Sequence, residues 1–285
     1  MKKNILITGV TGYIGSNLVK AIANDYNCFG VVRRTSHIEK VKDFCQLVYV
    51  DEIEKCFKNN KIDSVIHLAT NLSKIDKDNS YTTQIDSNLC FPVLLLELME
   101  KFEVRNIINT STYFQFYYGN ESYSPNSFYA ATKQAFSDLI KYFTDRLNLN
   151  CIDLLLYDVY GPNDNRNKVF TLIKNLHNNE DFNCTFGEQE ISFVFISDVI
   201  DAYKVAIDCL LSSKLTAYNL YSVDGDKVLL KNAIEMAMRV FKKSSKINYG
   251  LIDYNIATVF KPYVFSRIEN WQPKITLEDG LKMCL

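Results

Sequence analysis

The stretch Ile5-Leu6-Ile7-Thr8-Gly9-Val10-Thr11-Gly12-Tyr13-Ile14-Gly15 restricts the fold of this chain more than any other. A short apolar, β-prone run enters three glycines at a spacing of three and leaves into an amphipathic stretch. The order is strand, tight turn, helix. Glycine lets the backbone turn sharply and lets a pyrophosphate approach the helix N-terminus, where unpaired N–H groups and the helix dipole favour anions. Three glycines in a loop are often only a turn, so the assignment depends on the pattern of the remaining chain.

That pattern is alternation. Strands are expected at Asn4–Thr8, Cys28–Arg33, Leu47–Val50, Ser64–Leu68, Asn106–Thr110 and Cys151–Tyr157. Helical periodicity falls between them, notably over Tyr13–Asn24, Asp86–Phe102 and Ser127–Leu147. Such alternation implies an α/β, Rossmann-type doubly wound parallel sheet with ligands at the carboxyl edge of the strands. After Gly161-Pro162 the rhythm breaks. A polar loop at Asn163–Lys168 leads to a helical run, Val169–Asn178. Strand-like pieces come next at Ile191–Ile196 and Tyr218–Tyr221, with helical segments at Ser197–Leu211 and Leu229–Phe241. The expected division is a dinucleotide-binding domain over residues 1–162 and a small mixed α/β C-terminal substrate lobe over 163–285, interleaved with the first. Trp271–Gly280 reads as a turn and then a helix capped by Thr276.

Composition narrows the function classes. With 32 basic and 33 acidic residues and no polybasic face, nucleic acid and anionic membrane are not the expected partners. No apolar run has transmembrane length, and the first residues are already the strand, so a cytoplasmic location is expected. The eight cysteines include no CxxC pair and read as free thiols; with three histidines, no metal site is expected. His67, in Val65-Ile66-His67-Leu68-Ala69, reads as a strand-end packing residue.

The end of the second strand bears on the cofactor. An acidic residue there hydrogen-bonds the adenosine ribose and disfavours a 2′-phosphate. This chain has Val31-Val32-Arg33-Arg34-Thr35-Ser36 instead. Guanidinium forks pair with phosphate oxygens, so NADP(H) is expected ahead of NAD(H). Asp51, after the third strand, is placed either at the adenine edge or as a helix N-cap. Tyr129 and Lys133 stand four apart and share a helix face. An ammonium beside a phenol lowers the tyrosine pKa from about 10 toward working pH, which suits proton exchange with a carbonyl or alcohol oxygen. Thr112, at the strand tip Asn109-Thr110-Ser111-Thr112, is the candidate hydroxyl for a substrate oxygen, with Ser111 as its competitor.

These residues carry a resemblance. Thr8-Gly9-Val10-Thr11-Gly12-Tyr13-Ile14-Gly15, His67-Leu68-Ala69-Thr70, Asn88, Thr112, Tyr129-Ala130-Ala131-Thr132-Lys133, Tyr157-Asp158-Val159-Tyr160-Gly161-Pro162 and Trp271-Gln272-Pro273 resemble the extended short-chain dehydrogenases/reductases, the NAD-dependent epimerase/dehydratase superfamily acting on nucleotide sugars. The likeness spans nearly the whole chain. It implies that Gly9, Thr11, Gly12, Tyr13, Ile14, Gly15, Leu68, Ala69 and Thr70 line the dinucleotide, with Asn88 close by. It implies a catalytic set of Thr112, Tyr129 and Lys133, with Asp158, Asn163 and Arg166 near a sugar nucleotide. It also implies a possible homodimer through the helices Asp86–Phe102 and Ser127–Leu147.

Within the superfamily, dehydratases need an acidic pair after the catalytic threonine; here Tyr113-Phe114-Gln115 stand there. The stretches Ser111–Gln115 and Tyr123–Phe136 are similar to the CDP-3,6-dideoxyhexose synthases of paratose and abequose type. Those are NADPH-dependent 4-ketoreductases of deoxy sugar nucleotides in surface polysaccharide biosynthesis. An epimerase with retained NAD is the alternative. A non-catalytic NADP sensor on the same fold is disfavoured by the intact Tyr129/Lys133 pair. One departure stands out. Family members often carry Arg-Asp where this chain has Ile191-Ser192, which leaves Arg166, Lys168 or Arg267 to meet a pyrophosphate.

Overall fold

The computed structural model describes residues 2–73, 80–177, 180–212 and 217–285. The first half runs β1 (Asn4–Thr8), α1 (Tyr13–Ile22), β2 (Asn27–Val32), β3 (Gln46–Tyr49), α2 (Ile53–Asn59) and β4 (Ser64–His67). It continues with α3 (Tyr81–Ile85), α4 (Phe91–Lys101), β5 (Asn106–Thr112), α5 (Phe128–Leu147) and β6 (Asn150–Leu156). The second half supplies β7 (Asp158–Tyr160), α6 (Val169–Asn175), β8 (Phe182–Cys184), β9 (Glu190–Phe195), α7 (Ile196–Leu211) and β10 (Tyr218–Val223). β11 (Asp226–Leu229), α8 (Leu230–Val240), β12 (Ile247–Tyr249) and α9 (Leu277–Met283) complete it.

Seven strands form one parallel sheet in the order β10-β6-β5-β4-β1-β2-β3. Strand alternation sends Ile5 and Ile7 to one face, where Leu18, Val19 and Ile22 of α1 and Ala202 and Tyr203 of α7 bury them. Leu6 points to the other face, with Leu95, Leu96 and Met99 of α4 and Phe136 and Ile140 of α5. Both faces are covered, which is why β1, β4 and β5 read as continuous apolar runs. The chain reverses direction across the sheet between β1 and β4. The crevice at their carboxyl ends is the ligand position for this architecture.

β10 belongs to this sheet, paired with β6, whereas its place in the sequence groups it with the later lobe. Two small sheets, β11-β9-β7 and β12-β8, carry the rest of the C-terminal half. β9 lies where Ile191–Ile196 is expected, ending at Phe195 because Ile196 starts α7; the other strands, of three or four residues, are too short to announce themselves by periodicity. β5 runs to Thr112, beyond the expected Thr110, because Ser111 and Thr112 pair with Leu155 and Leu156 of β6. The expected helix Asp86–Phe102 divides. A turn of wider π geometry at Asp86–Cys90 precedes α4, which carries Pro92 in its first turn. α6 ends at Asn175, and Asn178, its expected end, lies outside the described residues. The Ser127 hydroxyl accepts from Ala130 N to start α5, and Asn148 in the left-handed region ends it. The C-terminal segment docks on α7, where the Trp271 indole donates to Asp198 O and the Asp198 carboxylate accepts from Lys274 N and Ile275 N.

Candidate active site

The glycine turn comes directly after β1 and faces the loop after β4. Gly9 has φ +68°, and a Cβ there would lie 2.6 Å from Ala69 N and 2.7 Å from Leu68 C. A Cβ on Gly15 would collide with the Gly9 carbonyl oxygen. These glycines therefore keep open a cradle between two backbones, with Gly12 as the N-cap of α1. Ile14 lies in the first turn of α1. The Thr8 hydroxyl accepts from Leu68 N and Ala69 N, both at 3.2 Å, and locks the two loops together. The cradle fits a dinucleotide diphosphate. Beside it a cavity of about 250 Å³ is bordered by Thr11, Gly12, Tyr13, Lys40, Asn163 and Arg166. Sequence reasoning misses Lys40, because nothing local marks a lysine in a polar loop as reaching a turn some 28 residues earlier.

At the end of β2, Arg33 and Arg34 are both exposed. Arg34 donates to Asp51 at 2.6 Å and lies 4.4 Å over the Tyr49 ring. Asp51 is thus the ion-pair partner of an arginine at this edge and not a helix N-cap, a place that Glu52 takes for α2.

Tyr129 and Lys133 project from the first two turns of α5 toward the carboxyl ends of β4 and β5. The phenol is half-buried, and that burial pushes its pKa up to about 12. Lys133 is 3% exposed, and burial lowers its pKa to about 8, opposed by the charge of Asp153. Spacing alone predicts that Lys133 draws the phenol down. In the folded protein desolvation dominates both groups and moves each toward its neutral form. Thr112 caps the turn after β5. Its hydroxyl accepts from Phe114 N at 3.4 Å, its N–H donates to Gln115, and the Gln115 amide donates to Gln134 of α5 at 2.7 Å. The Thr112 hydroxyl keeps its own hydrogen to donate. Ser111, its competitor, donates to buried Asp153 at 2.6 Å and belongs to the core. His67 is buried, shares a 2.8 Å hydrogen bond with the Thr8 hydroxyl and sits edge-on to Phe136. Burial and the Lys133 charge hold it well below its usual range, so it is neutral packing.

Asn88, on the π turn, joins these parts. Its Oδ1 accepts from Asn71 N at 2.7 Å and from the Thr70 hydroxyl at 3.2 Å. Its Nδ2 donates to Asn71 O at 2.9 Å and to the Thr132 hydroxyl at 3.0 Å. That uses its full donor set, so Asn88 holds the Thr70 loop against α5. A π turn at such a site is a recurrent feature.

The expected substrate group divides. Asn163 and Arg166 lie with the glycine loop; Arg166 stacks 4.6 Å over the Tyr13 ring and forks onto Asp164. Asp158 lies elsewhere. It accepts from the Tyr113 hydroxyl at 2.7 Å and from Lys168 at 3.2 Å, on the border of a second cavity of about 180 Å³ that Ile191 also lines. Of the three cations considered for a pyrophosphate, Arg166 forks onto Asp164 and Arg267 onto Asp224. Lys168 has a single carboxylate contact.

A dinucleotide cradle at the switch point, with a tyrosine and lysine one helical turn apart beside it, defines an NAD(P)-dependent enzyme of the short-chain dehydrogenase/reductase type. The chain belongs to the NAD dependent epimerase/dehydratase family, whose family model matches residues 5–220. It is similar to a CDP-abequose synthase of Salmonella muenchen, 28% identical over 100% of this chain and 98% of the relative. It is also similar to a UDP-glucuronate 4-epimerase of Thermodesulfobacterium geofontis, 26% identical over 97% and 93%. Among solved structures, UDP-glucose 4-epimerase of Thermotoga maritima with UDP-glucose superposes with TM-score 0.85 at 21% identity, covering 99% of this chain and 97% of that one. At that identity the likeness concerns the fold.

Proposed function

We propose that this enzyme reduces the C4 ketone of a deoxy sugar nucleotide, with NADPH as reductant. The observation that carries the reading is the environment of Thr112. Where dehydration needs an acid and a base, this chain places Tyr113, Phe114 and Gln115. Tyr113 is buried against Tyr157 and donates to Asp158, and its pKa is driven far above 10 by burial and the Asp158 charge. It cannot serve as a base. Ketone reduction needs only a proton donor and an oriented carbonyl.

The residues supply both. Tyr129, with a pKa near 12, is protonated across the working range and delivers its proton to the carbonyl oxygen as charge develops there. The Thr112 hydroxyl donates to the same oxygen, and its backbone is held to α5 through Gln115 and Gln134. Lys133, cationic below its pKa of about 8, would hold the cofactor ribose and favour the negative charge left on Tyr129. Gly9, Gly12 and Gly15 would hold the diphosphate, and Arg33 and Arg34 the 2′-phosphate. When bound, NADPH supplies the hydride equivalent for the ketone. The similarity to CDP-abequose synthases supports a CDP-linked substrate.

The test offers purified enzyme two kinds of substrate. A nucleotide hexose with an intact 6-hydroxyl is expected to give no 4-keto-6-deoxy product. A 4-keto-6-deoxy or 4-keto-3,6-dideoxy sugar nucleotide is expected to consume NADPH and to take label from it at C4, with one stereochemistry. Label retained on the cofactor while the sugar is epimerised or dehydrated overturns the reading, and epimerisation puts the NAD-dependent alternative in its place.

A further inference from the structure

Asp153 stands on β6, flanked by strands on both sides, in register with Asn109 of β5 and Leu220 of β10, and is fully buried. Central strands of such sheets are ordinarily apolar. Its carboxylate accepts from three hydroxyls: Ser111 at 2.6 Å, Ser137 at 2.8 Å and Tyr218 at 2.6 Å. Three donors occupy the acceptor sites of the carboxylate. A buried charge still requires a counter-charge, or it neutralises.

Among the described residues Lys133 is the one buried lysine or arginine. The geometry ties it to Asp153. Ser137 lies one turn beyond Lys133 and two beyond Tyr129, on the same face of α5, and its hydroxyl is bonded to Asp153. Other titratable groups surround the pair from every packed element: His67 on β4, Cys151 on β6, Tyr129 on α5, Tyr203 on α7 and Tyr218 on β10. Burial holds each of them toward its neutral form. The remaining buried carboxylates are engaged elsewhere, Asp224 with Arg267 and Asp198 with backbone N–H groups of the C-terminal segment.

We propose that Asp153, held in place by Ser111, Ser137 and Tyr218, is a positioning residue: the buried counter-charge that keeps Lys133 cationic at the sheet edge. Its use in catalysis rests on the reaction proposed above; the charge pairing itself does not. The hydroxyl cluster explains why Ser111 is directed inward and leaves Thr112 as the hydroxyl for the substrate.

The experiment reads Lys133 directly in the full chain without substrate. Protein labelled at the lysine side-chain carbon and nitrogen is titrated by nuclear magnetic resonance, with Lys133→Met identifying the signal. In Asp153→Asn, Lys133 is expected to lose its proton at a pH lower by about one unit or more, the usual effect of removing a nearby opposite charge. The alkaline limb of the pH–rate profile should move with it. An unchanged Lys133 titration in folded Asp153→Asn overturns the proposal, whatever the enzyme reduces. Should Asp153→Asn not fold, the charge-neutral double variant Lys133→Met/Asp153→Asn is expected to fold and to be more stable than Asp153→Asn alone. A double variant no more stable than that single one also overturns it. Absence of ketone reduction with the Lys133 shift intact refutes the proposed reaction and leaves the pairing standing.

Discussion

Raising the pH from 7 to 9 should switch this enzyme off through one lysine. Burial lowers the Lys133 pKa from its ordinary 10.5 to about 8. A group with that pKa is about nine-tenths protonated at pH 7 and about one-tenth at pH 9, a roughly tenfold loss of the cationic form. Tyr129, near 12, keeps its proton over this range, and His67 is neutral throughout, so neither masks the limb. Stability should move the other way. The unfolded chain binds the Lys133 proton more tightly, so between about pH 8 and 10.5 it holds more protons than the folded one, and folding becomes more favourable as pH rises. The full span amounts to about 3 kcal/mol of burial cost, complete below pH 8 and relieved by pH 10.5. The assay is NADPH consumption with saturating 4-keto sugar nucleotide across pH 6–10, beside denaturant melts at the same values. Lys133→Arg, which cannot deprotonate, is the control: its residual activity should lack the limb. A profile flat to pH 9, or a limb that survives in Lys133→Arg, refutes the reasoning.

The same geometry sets three other outcomes. Tyr129→Phe should lower turnover by about two to four orders of magnitude while leaving the NADPH dissociation constant nearly unchanged; near-normal turnover removes Tyr129 from the chemistry. Arg33→Ala should weaken NADPH about tenfold or more by losing charge-assisted bonds to its extra phosphate, with little change for NADH. Equal losses, measured by fluorescence titration, would contradict the NADP assignment. Gly9→Ala forces a side chain into a positive-φ position against Ala69 N, and should cost about 2–4 kcal/mol in denaturant melts together with cofactor affinity. A stable variant with normal cofactor binding would mean that the two loops are not held as tightly as the structure has them.

Much of the site is legible along the chain because its determinants are local. Gly9, Gly12 and Gly15 need only their spacing after an apolar strand, and Tyr129 and Lys133 need only a helix to share a face. Alternation of apolar strands with amphipathic helices suffices for the parallel sheet, since both its faces must be covered. What tertiary structure decided is what depends on burial and on partners distant in sequence. Asp153 meets Ser111 from 42 residues away and Tyr218 from 65, and nothing near it in the chain marks it as the centre of a buried hydroxyl cluster. β10 joins the large sheet through β6, a pairing that its short apolar run does not encode. Asn88 spends its amide on the loop after β4, and Asp158 parts from Asn163 and Arg166 because it opens β7 whereas they stand beyond that strand's end. The proton affinities of Tyr129 and Lys133 are likewise set by the fold. Spacing brings the two groups together, but only the closed core removes the water that would otherwise have set their charges.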